Sequence, residues 1–130
     1  MEDRTIEEYC RAIDKSDPGG GARSTDIAKA LRLSKNTVAL TLKKLALAGY
    51  IEMERYGRVR LARKGLDVAK KMNFRHRVIE TFLFSELKMD SRSVHEEANA
   101  MEHWVSDELV RRLYTYIGKP QKDPHGRQIA

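Results

Sequence analysis

The chain has 130 residues, the size of one compact domain or of two small ones. Hydrophobic residues make up 41% and charged residues 34% of it, and no apolar run reaches the length of a membrane span. Its single cysteine excludes an internal disulfide and a cysteine-rich zinc cage. The N-terminus lacks the features of a signal peptide, so we expect a cytoplasmic protein without a membrane partner.

The positive charge is concentrated in the first half of the chain. Residues 1–72 hold 16 Lys and Arg against 10 Asp and Glu, whereas residues 73–130 hold nine of each. The stretch 23–64 alone has 11 basic and 3 acidic residues, a net charge of +8. This asymmetry predicts that the first half binds a polyanion and that the second half has another role. A lysine-rich solvated surface is the alternative.

The first helix is predicted over residues 3–16, because Ile6, Tyr9, Cys10 and Ile13 recur with the spacing of one helical face. We interpret Cys10 as a core residue of this face and not as a metal ligand. A glycine-rich loop follows.

Two short helices are predicted next. Ser24 and Thr25 are expected to cap a helix over 26–31, and Ser34 is expected to cap a third helix over about 35–48. Residues 50–61 then alternate around the turn Tyr56-Gly57, a pattern typical of a β-hairpin.

Two short helices followed by a basic hairpin are typical of a winged helix-turn-helix, in which the N-terminal part of the second helix enters the major groove. This motif and its coincident charge predict binding to double-stranded DNA. The candidate contacts lie on both helix starts, on the third helix and on the hairpin: Thr25, Ser34, Lys35, Asn36, Thr37, Lys43, Arg58 and Arg60.

The second half of the chain reads as three further helices. The fourth helix is predicted over about 63–87, Ser93 is expected to open the fifth through a capping box, and Ser106 is expected to cap the sixth. The tail, residues 121–130, is predicted to be polar and extended.

Two of these helices carry stripes, that is, rows along one helix face, of side chains of the types that bind metals. The fifth helix places four on one face, at i, i+4, i+7 and i+8: His95, Asn99, Glu102 and His103. The fourth helix adds two more, one turn apart: His76 and Glu80. Stripes of this type meet in the metal sites of helical bundles, and these donors suit Fe²⁺, Mn²⁺, Co²⁺ or Zn²⁺. The alternative is a salt-bridged surface in which Glu80 pairs with Arg77.

Several segments together resemble the diphtheria-toxin-repressor family of iron- and manganese-dependent transcriptional repressors, over nearly the whole chain. The segments that carry the resemblance include Ser24-Thr25-Asp26-Ile27-Ala28, Tyr56-Gly57, Arg75-His76-Arg77, His95-Glu96-Glu97-Ala98, Glu102-His103 and Asp123-Pro124-His125-Gly126.

The resemblance implies a mainly α fold, with an N-terminal winged helix-turn-helix over residues 1–72 and an all-helical metal-binding and dimerisation domain over residues 73–130. It is expected to be the two-domain form, without the SH3-like C-terminal domain that many iron repressors carry. The implied function is that of a metal-activated repressor and not of an enzyme: a divalent co-repressor ion bridges the N-terminal helix to the second domain, and the homodimer then binds palindromic operator DNA.

The resemblance also implies the ligands of two sites. The primary, activating site carries over to Glu8, Asn99, Glu102 and His103, and the ancillary site to His76, Glu80 and His95. Asn99 departs from the family, which has cysteine or a carboxylate at this position, and Arg11 stands where manganese repressors have a carboxylate ligand. The expected co-repressor is Fe²⁺, with Mn²⁺ as the alternative and Zn²⁺, Co²⁺ or Ni²⁺ as substitutes in vitro.

Two other functions remain open from the residues alone. A metal-independent winged-helix regulator shares the basic motif and leaves the His and Glu stripes unexplained. A metalloenzyme or metal-buffering protein uses the stripes but leaves the basic motif without a role, and no independent general base or nucleophile accompanies them.

Overall fold

Six α-helices and a small three-stranded sheet form the chain in a computed structural model that describes residues 1–130. The mainly α fold predicted from the sequence is confirmed. The contacts between residues divide the chain into two units, Met1–Lys70 and Lys71–Ala130. No helix has the length and apolar character needed to cross a membrane.

The first unit contains helices α1 to α3, the sheet and the beginning of α4. The bounds of its elements are α1 Asp3–Ser16, β1 Ala22–Arg23, α2 Ser24–Leu31, α3 Lys35–Leu47, β2 Ile51–Met53, a 3-10 turn Arg55–Gly57, β3 Arg58–Leu61 and α4 Arg63–Ser85.

The sheet has the order β1-β3-β2 and is antiparallel throughout. The predicted hairpin is confirmed, with Ile51 opposite Leu61 across β2 and β3. The two-residue strand β1, where Ala22 pairs with Val59, was not predicted because it is too short to show an alternating pattern. Helices α1 to α3 and the sheet enclose one core, formed by Tyr9, Ala12, Ile13, Ala22, Ile27, Ala28, Val38, Leu42, Leu45, Ile51 and Val59.

The helix starts in this unit show one correct and one wrong capping prediction. Ser34 caps α3, since its hydroxyl accepts a hydrogen bond of 3.1 Å from the amide of Thr37. The predicted Ser24 and Thr25 cap of α2 is wrong, because both residues lie inside the helix. Arg23 is the residue before the helix, and its pairing with β3 keeps its backbone extended up to that point.

The start of α4 lies unusually close to the start of β2. A β-carbon built on Gly65 would come within 2.2 Å of the carbonyl oxygen of Tyr50, so only glycine fits there. The ammonium group of the neighbouring Lys64 lies 4.2 Å from the centre of the Tyr50 ring and donates a hydrogen bond to the carbonyl of Ala48. These contacts fix the direction in which α4 leaves the sheet.

The second unit contains the remainder of α4 together with α5, Ser91–Met101, and α6, Asp107–Tyr116. Ser106 caps α6 as predicted, accepting from the amide of Leu109.

The predicted capping box at Ser93 is wrong. Helix α5 begins at Ser91, and Asp90 caps it by accepting from the amides of Arg92 and Ser93 at 2.9 Å. The backbone hydrogen bond from Ser93 holds the pKa of Asp90 below its ordinary value.

The tail is not extended, which corrects the sequence prediction. Asp123 accepts hydrogen bonds from the amides of His125 and Arg127, at 2.9 and 2.8 Å, and this closes a tight turn. Ile129 then returns to the core and joins Val78 and Val110 in a buried cluster. The sequence prediction missed this because a single apolar residue in a polar segment gives no periodic pattern.

Candidate metal centre and nucleic-acid interface

Glu80 is the central residue of the candidate metal centre. It lies on α4 in the second unit, is fully buried, and neither of its carboxylate oxygens accepts a hydrogen bond of good geometry. Burial raises the pKa of Glu80, but the close imidazole of His76 and the positive charges of His76, His125 and Arg127 outweigh this effect and hold the pKa below its ordinary value. The side chain is therefore a buried carboxylate that favours its ionised form.

Two histidines meet at this carboxylate. Nε2 of His76 lies 3.0 Å from Oε1 of Glu80 and 3.2 Å from Nδ1 of His95. Nδ1 of His95 lies 3.4 Å from Oε2 of Glu80. The one-turn spacing of His76 and Glu80 on α4 and the position of His95 on α5 thus bring the three residues of the predicted ancillary site together.

The other nitrogen of His76 reaches a ligand of the predicted primary site. Nδ1 of His76 lies 3.1 Å from Oε2 of Glu102, and both side chains are buried. A metal-binding histidine typically donates its second N–H to a carboxylate, which fixes the tautomer and orients the ring. The pair His76 and Glu102 has this arrangement, with Nε2 turned toward Glu80 and His95.

The tail adds residues that the sequence prediction did not assign to the site. Nδ1 of His125 lies 3.5 Å from Oε2 of Glu80, and a guanidinium nitrogen of Arg127 lies 3.5 Å from Oε1. Asp123 groups with Glu80 and His125 closely enough to share an ion. The signal was present in the sequence, since Asp123-Pro124-His125-Gly126 is one of the segments that carry the family resemblance.

This arrangement fits a divalent cation. A buried carboxylate that lacks hydrogen bonds is costly unless a positive charge compensates it, and imidazole nitrogens and carboxylate oxygens are common ligands of Fe²⁺ and Mn²⁺. The predicted alternative, an ion pair between Glu80 and Arg77, is wrong, because the guanidinium of Arg77 donates instead to the carbonyl of Gln128 at 2.7 Å.

The remaining predicted ligands occupy both units. Glu8 is half-buried on α1 in the first unit, where its carboxylate lies 3.0 Å from the guanidinium of Arg4. In the second unit, Asn99 is exposed on α5, Glu102 is buried directly after that helix, and His103 is half-buried.

Cys10 is a core residue, as predicted. Its side chain on α1 is fully buried, and burial raises the pKa of its thiol to about 11. Metal binding by cysteine requires the thiolate, which is unfavourable in this environment.

Arg75 fixes the chain next to Glu102. This nearly buried side chain donates to the carbonyl oxygens of Glu102 and Val105, and its guanidinium also pairs with the carboxylate of Asp107. The turn between α5 and α6 is therefore held by one side chain from α4.

The first unit exposes most of the residues predicted to contact DNA. On the N-terminal half of α3 and at its cap, the exposed residues are Ser34, Lys35, Asn36 and Thr37. Thr25 on α2, Lys43 on α3 and Arg60 on β3 are exposed as well.

Arg58 differs from the other predicted contacts, since it is half-buried. Its guanidinium donates a hydrogen bond of 3.0 Å to the carbonyl of Gly21. At least one of its N–H groups therefore has a structural role at the turn end of β3, where this strand pairs with β1.

Comparison with known proteins supports both parts of this description. A model of the "Iron dependent repressor, N-terminal DNA binding domain" matches residues 3–59, and a model of the "Iron dependent repressor, metal binding and dimerisation domain" matches residues 62–130. The transcriptional regulator MntR of Escherichia coli is 37% identical over 113 residues, which cover 85% of this chain and 72% of that protein.

Two further relatives are named for different metals. The iron-dependent repressor IdeR of Mycobacterium leprae is 29% identical over 126 residues, which cover 96% of this chain and 55% of that protein. The solved structure of a manganese-dependent transcriptional repressor in complex with manganese is 34% identical, with a TM-score of 0.86 over 95% of this chain and 57% of that chain. The chain thus spans little more than half the length of these two proteins.

A winged helix-turn-helix joined to a helical unit with clustered metal-binding side chains defines the class of metal-dependent DNA-binding regulators. The chain belongs to the iron-dependent repressor family, whose members are transcriptional repressors and not enzymes. The family resemblance and the winged-helix fold class predicted from the sequence are confirmed.

Proposed function

We propose that this chain is a repressor activated by Fe²⁺ or Mn²⁺, which as a homodimer binds palindromic operator DNA. The observation that carries the metal dependence is Glu80, a fully buried carboxylate without hydrogen bonds, next to the imidazoles of His76, His95 and His125. The basic winged helix in the same chain supplies the DNA-binding function that such a metal site would control.

Two sites follow from the residues. His76, Glu80 and His95 form the ancillary site, and the tail residues Asp123 and His125 complete it. Glu8, Asn99, Glu102 and His103 form the primary site.

A contact between His76 of the ancillary site and Glu102 of the primary site links the two sites, with Nδ1 of His76 3.1 Å from Oε2 of Glu102. If Nε2 of His76 held an ion, Nδ1 would carry the proton and donate a hydrogen bond to Oε2 of Glu102, which would orient this carboxylate for the primary site.

The primary site is the one that activates. A bound divalent cation supplies the positive charge that allows carboxylates to share one site. In the proposed primary site, the carboxylates of Glu8 and Glu102 would repel each other without a cation. Glu8 and Glu102 would hold the ion together, and this would tie the helix that precedes the DNA-reading elements to the part of the chain proposed to form the dimer. Two recognition helices then reach half-sites one DNA turn apart, roughly 34 Å.

The energy available from such a site is sufficient for a switch. Moving a population from 1:99 to 99:1 requires about 5.5 kcal/mol of differential affinity. Structural zinc sites reach about 10–16 kcal/mol, so a site with three or four protein ligands can supply this amount. Linkage further requires that operator DNA tightens metal binding by the same factor.

The donor set favours Fe²⁺ or Mn²⁺ over softer metals. Asn99 offers a neutral amide oxygen, and Cys10 is buried and protonated, so no thiolate is available. Zn²⁺, Co²⁺ and Ni²⁺ act as substitutes in vitro. Relatives named for iron and for manganese both match the chain, in agreement with either ion.

A metal titration of DNA binding tests this proposal. Fe²⁺ under anaerobic conditions and Mn²⁺ should each promote binding to a palindromic site selected in the presence of metal, and a chelator should abolish it. Glu8→Ala and the double change Glu102→Gln with His103→Ala should weaken the metal-dependent part at least tenfold. Glu86→Gln, an exposed carboxylate directly after α4, is the matched control and should bind as the wild type does.

Equal binding by chelated and metal-loaded protein would show a metal-independent winged-helix regulator instead. Equal activation by Ca²⁺ would contradict the assignment to a transition metal.

A further inference from the structure

Two large apolar side chains are exposed on the helix that carries the candidate DNA contacts. Leu40 and Leu47 of α3 are 63% and 90% exposed. The two leucines share one solvent-exposed face of α3 with two polar side chains, so that this face consists of Asn36, Leu40, Lys43 and Leu47. The opposite face packs into the core through Val38, Leu42 and Leu45. Neither exposed leucine belongs to the core of the first unit.

We propose that Leu40 contacts the C5 methyl group of a thymine in the major groove and thereby determines part of the operator sequence. The proposal rests on the proposed function, because it requires α3 to enter the groove. Thymine is the only base that presents a methyl group there, and apolar side chains recognise it by direct contact.

The position of Leu40 on α3 suits this contact. It lies four residues after Asn36, slightly more than one helical turn, and side chains at i and i+4 are neighbours on a helix surface, with their β-carbons about 5–6 Å apart. The N-terminal part of a recognition helix lies nearest the base edges. Asn36 can bind adenine through two hydrogen bonds, so the two neighbouring side chains can read two adjacent features of the same groove.

The charge around Leu40 identifies DNA as its partner. Lys35, Lys43 and Lys44 are all exposed on α3, and residues 23–64 have 11 basic and 3 acidic residues. An apolar protein partner would have to remove these ammonium groups from water, whereas DNA phosphates can pair with them.

Leu47 provides a matched control. It is the last residue of α3 and lies about 10 Å further along the helix axis than Leu40, at 1.5 Å per residue. This distance removes it from the end of the helix that reads base edges, although it is the same residue type and is even more exposed.

The experiment uses the full chain with Mn²⁺ and begins by selecting double-stranded sites from randomised DNA. Each thymine of the selected half-site is then replaced by deoxyuridine, which removes only the C5 methyl group. For the wild type and for Leu47→Ala, replacement at one thymine should weaken binding about fourfold for each half-site, the value of one buried methyl group. For Leu40→Ala, the same replacement should have no effect. Leu40→Gln should lose the preference for thymine at this position when selection is repeated.

The outcomes separate this proposal from the proposed function. If Mn²⁺ enriches a site but no deoxyuridine replacement weakens wild-type binding, Leu40 does not read a methyl group. The same conclusion follows if Leu40→Ala retains the wild-type sensitivity. If no sequence is enriched with metal, the proposed function itself fails and the role of Leu40 fails with it.

Discussion

Glu80 has lost its contact with water without gaining hydrogen bonds in return. Buried polar groups in proteins nearly always have hydrogen-bond partners, so an exception of this kind requires an explanation. The two imidazoles on α4 and α5, the imidazole of His125 and the guanidinium of Arg127 all approach this one carboxylate within 3.5 Å. Arg127 can pair with this carboxylate but cannot ligate a metal, whereas the three imidazoles and the carboxylate are ligand types of divalent cations, so a cation site explains why these four side chains converge.

The change Glu80→Gln should remove most of the stabilisation that a bound ion provides. An ion present at 100 times its dissociation constant raises the free energy of unfolding by about 2.7 kcal/mol. We expect Mn²⁺ to raise the melting temperature of the wild type and of Glu86→Gln, and to raise that of Glu80→Gln much less. Thermal unfolding with Mn²⁺ and with chelator measures the difference. An unchanged metal-induced rise in Glu80→Gln would show that the ion binds elsewhere.

Asp107 gives a prediction about pH. The hydrogen bond from Arg75 holds the pKa of Asp107 below its ordinary value, so the folded state favours the carboxylate. Its contribution to stability is therefore complete above the unfolded pKa, about 3.9, and is lost as the pH falls through the lower folded value. Because the Asp107 side chain is 66% exposed, the contribution is about 0.2–1 kcal/mol.

The variant Asp107→Asn should accordingly be slightly less stable than the wild type at pH 7 and equally stable near pH 2, where both side chains are neutral. Urea unfolding across this pH range measures the difference. Asp67→Asn, which removes an exposed pair with Arg63, is the control for a carboxylate outside the second unit. A difference that stays constant down to pH 2 would contradict the expectation.

Among the elements, the helices could be predicted from the sequence more accurately than their caps. The apolar spacing of Ile6, Tyr9, Cys10 and Ile13 predicts α1 over roughly 3–16, and the helix spans Asp3–Ser16. The caps depend on the chain outside the helix. Ser34 lies just before α3 with an extended backbone, and its side chain caps this helix. Ser24 cannot cap α2 in the same way, because β1 ends at Arg23 and Ser24 is already the first residue of the helix. Strand pairing at such a distance along the chain leaves no local pattern.

Gly65 tests how tightly two elements pack. In Gly65→Ala, the new methyl group would meet the carbonyl oxygen of Tyr50 at 2.2 Å, so α4 must move away from β2. We expect the free energy of unfolding to fall by about 3 kcal/mol, at the upper end of the usual cost of overpacking. Gly20→Ala, where the new β-carbon meets no atom within 4 Å, should change it by less than about 0.5 kcal/mol. Chemical denaturation measures the free energy of unfolding of both variants, and equal values would contradict the close contact at Gly65.

At the scale of the whole molecule, the winged helix-turn-helix and the His and Glu stripes could be predicted from the sequence, but the approach of the tail to the candidate metal centre could not. Helical spacing places His76 and Glu80 together, and the family resemblance adds His95. The contribution of His125 depends on a turn closed by Asp123 and on the return of Ile129 to the core. A turn of this kind is stabilised by tertiary contacts and by hydrogen bonds to one carboxylate, for which the polar tail sequence gives only a weak signal.

Ile129 should therefore matter more than its place near the end of the chain indicates. It is 3% exposed and packs with Val78 and Val110. Ile129→Ala should lower the free energy of unfolding by about 3 kcal/mol, in the usual range for a buried isoleucine. The neighbouring exposed Gln128→Ala should have little effect. Equal stability of the two variants in urea unfolding would show that the tail does not anchor in the core.

The burial of Cys10 has a consequence for cells exposed to oxidants. Peroxide attacks ionised, accessible cysteine sulfur first, whereas the only cysteine of this chain is buried, and burial raises the pKa of its thiol to about 11. The donors that we assign to the two proposed sites are nitrogens and oxygens, which form neither sulfenic acid nor a disulfide. If the proposed metal sites are occupied, we therefore expect oxidants to act through the bound ion and not through sulfenic acid or a disulfide at Cys10.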